Sequence, residues 1–196
     1  MKRLFKILLR IALLLFILLN IITAFHAYKF THFYNADEKP ANKNTQQSGF
    51  AMAKDIFFGI NAYKQKNILP ADSTYEKVYL TTKDKIKLEG WYLKPAGNAK
   101  GTVILFHGHG NKKSSVMEES VGFRKMGYNT FLLDFRAHGN SGGNTSTIGF
   151  YETEDVKLAY DFIKDKGEKI LCCGAYQWVR RLYQKPSMII RCCLQK

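Results

Sequence analysis

Apolar and polar positions divide the chain into stretches of different period. Between Arg10 and Lys29 lie eighteen residues without formal charge, Ile11–Tyr28, and a largely apolar start at Leu4–Leu9 precedes them. At about 1.5 Å rise per residue this run nearly crosses a hydrocarbon core of roughly 30 Å. A buried core helix is the rival reading. Apolarity on every face, with basic flanks, argues against it. Asn35–Gly49 is polar, contains Pro40 and has no apolar period, as expected of a linker leading away from a membrane.

The middle of the chain alternates between two patterns. Glu76–Thr82 and Ile86–Leu93 are rich in β-formers around the turn Lys83–Asp84–Lys85, and predict a hairpin. Gly101–Phe106, Asn129–Phe135 and the start of Lys169–Cys173 are short apolar runs of the kind buried on both faces of a sheet. Between them, Ser114–Met126 and Tyr151–Lys166 space apolar residues as amphipathic helices, the second stopping at Gly167. A hairpin followed by parallel β-α-β-α-β is an α/β pattern, with right-handed crossovers placing helices on both faces. There is no internal repeat.

Charge sharpens the picture at the ends. The net charge is +14, yet residues 1–34 and 171–196 each hold five basic side chains and no acid, leaving a near-balanced domain between. No basic patch interleaved with aromatics falls on that domain, so nucleic acid is not an expected partner. Four basic residues precede the apolar run and one follows it. The positive-inside bias therefore keeps Met1 cytoplasmic and sends the remainder outward. Cleavage as a signal peptide wants a small-x-small site. Thr23, Ala24 and Ala27 are interrupted by Phe25 and His26, so an uncleaved anchor through residues 4–28, partnered by membrane lipid, is expected.

Two strand-end loops carry chemistry. Phe106–Asn111 reads FHGHGN, whose glycines allow close backbone approach and N–H groups turned to an anion. Asp134–Gly143 reads DFRAHGNSGG. With these loops in this order, residues 75–170 resemble the α/β-hydrolase superfamily, in particular its membrane-anchored, serine-aminopeptidase-like bacterial branch. The fold implied is the N-terminal part of an α/β-hydrolase domain preceded by a transmembrane helix.

The resemblance implies serine hydrolysis of a small ester or amide, without a cofactor. His107, Gly108, His109 and Gly110 would form the oxyanion-hole loop, with one donor mapping to the backbone N–H of His109. Asp134, Arg136, His138, Gly139 and Ser141 would form a structural loop held by hydrogen bonds, so His138 is not the catalytic base. Metal binding by His107, His109 and His138 is the weaker reading. No carboxylate or cysteine stands beside them at ligand spacing.

The nucleophile is expected directly after the strand at Lys169–Cys173. Gly139–Gly143 formally fits G-x-S-x-G, but lacks the strand–turn–helix context the motif requires. After Gly174 the tail has no serine until Ser187, no acid, and ends in a second cysteine pair. The degenerate codons of Cys172–Arg181, read two bases later, permit Leu-Trp-Gly-Ile-Ser-Met-Gly-Ala-Ala, a G-x-S-x-G where the family places it. A frameshift near Leu171 followed by an early stop is therefore expected. The chain would then lack nucleophile, acid and catalytic histidine, and would be inactive.

Disulfides or a metal at Cys172–Cys173 and Cys192–Cys193, and a lipid contact through Arg180, Arg181, Lys185 and Arg191, are weaker accounts of the same tail. The expected division is an anchor over 1–34, a linker and lead-in over 35–74, a partial hydrolase domain over 75–170 and an out-of-frame tail over 171–196. The alternative from another class is a non-catalytic, membrane-tethered binding protein.

Overall fold

The computed structural model describes residues 2–38, 49–68 and 74–175, the last six as backbone. Helix α1 spans Lys2–Thr31 with no buried residue. It is long and apolar enough to cross a membrane, with a mean hydropathy of 2.6 in its most apolar window. Its two mid-helix polar side chains satisfy themselves. Asn20 donates to the Phe16 carbonyl and Thr23 to the Leu19 carbonyl, both at 2.8 Å, so neither requires water.

Residues 33–63, from the end of the expected anchor through much of the expected linker and lead-in, contain structure that the sequence pattern does not announce. Strand β1 (Phe33–Tyr34) pairs in parallel with β2 (Ala62–Tyr63). Helix α2 (Gly49–Phe58) packs its C-terminal end on α1, where Phe25 and Phe58 meet edge to face at 5.3 Å. The polarity of Asn35–Gly49 gives no sign of α2, because the helix begins where that stretch ends.

The main sheet holds β3 (Tyr75–Thr81), β4 (Lys87–Leu93), β5 (Thr102–Phe106), β6 (Asn129–Leu133) and β7 (Ile170–Ala175), in the order β3-β4-β6-β5-β7. The expected hairpin is β3–β4. The parallel part is β6-β5-β7, and β4 joins it antiparallel through β6. Strands β5 and β6 are buried on both faces, which is why their sequences are continuous apolar runs rather than alternating ones.

Helix α4 (Glu152–Asp165) covers one face, setting Ala159 and Ile163 against Ile104, Phe106, Phe131 and Leu133. Helix α3 (Met117–Lys125) lies over the other, where Trp91, Val103, Leu105 and Leu132 pack with Val116. The expected helix over Ser114–Met126 opens instead as a 3₁₀ turn, Lys113–Val116. At the start of β5 and β6 Glu168 ties three strands together, accepting from Tyr92 of the antiparallel β4, from Thr102 and, at 2.9 Å, from Asn129.

Candidate active site

Both glycine-containing loops leave the C-terminal ends of neighbouring parallel strands, β5 and β6. Ligands of parallel α/β sheets bind outside those ends. Two histidines stitch the loops together. His107 Nδ1 lies 2.8 Å from the Gly108 carbonyl and so carries the proton, leaving Nε2 to accept the Phe135 N–H at 3.1 Å. His138 repeats this in reverse. Its Nδ1 is 2.8 Å from the Arg136 carbonyl, and its Nε2 accepts the Gly110 N–H at 2.9 Å.

Burial lowers the pKa of both rings, that of His138 to about 4, so both are neutral near pH 7. Each has both ring nitrogens occupied by backbone groups. His109 makes a different contact. Its ring stacks at a tilt on Phe30, and Nε2 lies 3.1 Å from the Phe30 carbonyl, joining the loop to the end of α1. Among the described residues, no three His, Cys, Asp or Glu side chains converge to hold a metal ion.

Asp134 organises the second loop from its buried position at the end of β6. One oxygen accepts the Lys113 N–H at 2.6 Å; the other accepts from Lys113 Nζ at 2.6 Å, Asn67 Nδ2 at 2.7 Å and the Asn140 N–H at 2.9 Å. Lys113 is fully buried and pairs also with Glu89 at 2.9 Å, with Trp91 stacked beneath its ammonium. Of this triad, Asp134 is picked out by sequence, whereas Lys113 and Glu89 are not. Lys113 sits in a polar KKSS run, next to a second lysine, with nothing to mark it as internal.

Ser141 is buried. Its hydroxyl donates to the Asp134 carbonyl at 2.6 Å and accepts the Glu89 N–H at 2.9 Å, which commits it to the loop. Arg136 forms a two-pronged pair with Asp155 at 2.7 and 3.0 Å and reaches Glu154 at 2.9 Å. Burial alone would lower its pKa, and these carboxylates more than offset that. Gly139, at φ +50°, faces the Asp134 carboxylate so closely that a Cβ would lie 2.2 Å from it.

Glu152, also unremarked in the sequence, opens α4 and gathers the preceding turn by accepting from Ser146, Thr147 twice and Gly149. Those bonds hold its carboxyl below the usual range despite burial. His107, Phe135, His138, Ile148 and Val156 line an apolar cleft along this turn.

The parallel register completes the site. Phe106 is paired with Ala175, so β7 ends level with the start of the His107–Gly110 loop. The fold is shared with a solved esterase. The esterase Pf2001 of Pyrococcus furiosus aligns at 31% identity and a TM-score of 0.50, over 59% of this chain and 47% of the esterase. The chain is an α/β-hydrolase by fold.

Among curated proteins, an uncharacterized membrane protein of Saccharomyces cerevisiae is 31% identical over 86 residues, which are 44% of this chain and 30% of that protein. The Arabidopsis thaliana alpha/beta hydrolase domain-containing protein WAV2 is 28% identical over 94 residues, 47% of this chain and 30% of that protein. The chain thus spans about a third of the length of these curated relatives and less than half of the esterase. No family model matches it.

Proposed function

We propose that this α/β-hydrolase chain derives from a membrane-anchored serine hydrolase of the serine-aminopeptidase-like branch, acting on carboxylic esters or amides through an acyl-enzyme. Its amino end lies in the cytoplasm and its sheet outside the cell membrane. One observation carries the reading. Ala175 at the end of β7 is level with Phe106, the residue from which the His107–Gly110 loop departs. A nucleophile elbow there would set a serine hydroxyl against a carbonyl whose oxygen the loop backbone at His109 and the elbow's own N–H would hold.

In the frame read from the Cys172–Arg181 codons two bases later, Ser of the G-x-S-x-G falls at the level of Tyr176–Gln177, one to two residues beyond β7. In the frame as translated, that place holds tyrosine and glutamine, which supply no activated nucleophile. A chain read in this frame therefore has no nucleophile at that place, and the parent enzyme takes its nucleophile from the shifted frame. The tail beyond Ala175, including Ser187 and the Cys192–Cys193 pair, lies outside the described residues.

Two steps test this. The gene is sequenced past the codon of Lys169, and a fluorophosphonate probe is applied to this chain and to a chain with the frame restored. The expected result is labelling of the restored chain alone, at the serine after β7. Stable labelling of Ser141, or the absence of any frame that continues through an acid and a histidine, overturns the proposal. The latter outcome favours the membrane-tethered binding protein.

A further inference from the structure

Helix α2 is unusual for a surface helix. Of its ten residues none is buried, and Phe50, Met52, Ile56, Phe57 and Phe58 are all exposed, Phe50 at 83% and Ile56 at 66%. Ile60, just beyond it, is 73% exposed. Contiguous exposed apolar area of this kind marks a surface that meets something apolar.

Its attachment fixes where it sits. Phe58 packs on Phe25, the Ile56 carbonyl lies 2.8 Å from His26 Nε2, and Lys29 bonds Asn61. All three α1 partners lie in the last two turns of that helix. At about 1.5 Å per residue, a hydrocarbon core of roughly 30 Å takes up about 20 residues of α1. The uncharged run ends at Tyr28, so His26 and Lys29 fall at the level of the lipid headgroups. Tyr28 and Phe30 stand at the same level, as aromatic residues do at a membrane boundary.

We propose that α2 is a membrane-seating helix: it lies in the interface of the bilayer that α1 crosses, with Phe50, Ile56, Phe57 and Ile60 set into the boundary between headgroups and acyl chains. The occupant of this face is lipid, because the helix is held at that depth by the anchor itself. Ile148, Phe150 and Tyr151, all more than 40% exposed, extend the seat. They follow Ser146, whose N–H bonds the Thr31 carbonyl at 2.8 Å. The inference rests on α1 being a membrane span.

The test uses the full chain in phosphatidylcholine–phosphatidylglycerol vesicles, carrying one added tryptophan at a time: Phe50→Trp or Ile56→Trp on the seat, Leu14→Trp within α1, and Lys83→Trp on the hairpin turn. The unaltered protein's signal is subtracted. All four positions are exposed, so packing is left alone. Lipids brominated near the headgroup or near the bilayer centre report depth.

The expected result is a blue-shifted emission at both seat positions, quenched several-fold more by the shallow bromines than by the deep ones. Leu14→Trp should be quenched by the deep bromines and Lys83→Trp by neither. Water-like, unquenched emission from Phe50→Trp with Leu14→Trp still quenched overturns the seat while sparing the anchor. Blue-shifted but unquenched emission overturns it too, and assigns the face to protein, either a second copy or the later part of a hydrolase domain. Failure of Leu14→Trp to be quenched removes the anchor and the seat together.

Discussion

His107 and His138, with ring centroids 5.2 Å apart, exchange hydrogen bonds between two loops: each ring accepts a backbone N–H from the loop that carries the other. Both rings must stay neutral at Nε2 to do so. The depressed pKa of His138, about 4 against an ordinary 6.5, expresses this requirement, and burial causes it.

The pH dependence follows from that depression. A histidine whose folded pKa lies below its unfolded one contributes stability that is complete above the unfolded value and is lost as pH falls toward the folded value. Stability should therefore fall between pH 6.5 and 4, by about 3 kcal/mol for His138 at 1.36 kcal/mol per pH unit. His107 moves in the same direction. Urea unfolding in detergent at stepped pH checks this. His138→Gln should lower stability at pH 7 and flatten the slope.

Lys113 neutralises two carboxylates in the interior, Glu89 and Asp134. Replacing one member of such a group strands the rest, at a cost of about 3–5 kcal/mol. Lys113→Met should show that loss in denaturant midpoint. Lys112→Met should stay within about 0.5 kcal/mol, since its ammonium bonds the Lys66 carbonyl at the surface. Equal effects would mean that the buried pairing contributes nothing net.

These two lysines also mark the limit of what the sequence discloses. The strands β5 and β6 are legible because burial on both faces leaves a continuous apolar run. Helix α4 is legible because one face meets a core and the other meets water. Lys112 and Lys113 are identical in sequence and differ only in which side of a 3₁₀ turn faces Asp134, which is set by contacts 21 residues away. Helix α2 is illegible for another reason: its apolar residues do not face the protein core, so their spacing carries no amphipathic signal toward it. The two-residue strands β1 and β2 are too short to have a period.

The junction between α1 and the sheet domain rests on Phe33, 5% exposed, with its ring 4.5 Å from that of His138. Main-chain bonds reinforce it: the Phe33 N–H donates to the Asn144 carbonyl at 2.7 Å. Phe33→Ala should cost about 3 kcal/mol, the lower end for a buried phenylalanine, because the site is at an edge. Phe30→Ala, at a half-exposed ring, should cost less than about 1 kcal/mol. Limited proteolysis of the Asn144–Gly149 turn in vesicles reads the difference: faster cleavage is expected for Phe33→Ala alone.

Two glycines of the second loop separate strain from collision. Gly143 has φ +76° and its nearest neighbour to a built Cβ is 3.5 Å away, so Gly143→Ala meets only the left-handed conformation and should cost about 1–2 kcal/mol. Gly139 has a similar φ of +50°, but its Cβ would lie 2.2–2.4 Å from all three atoms of the Asp134 carboxyl group. That carboxylate cannot retreat, since it is held by Lys113, Asn67 and Asn140. Gly139→Ala should therefore cost at least twice as much as Gly143→Ala in thermal or urea unfolding. Equal losses would show that the Asp134 cluster yields, and that backbone strain alone fixes glycine at both positions.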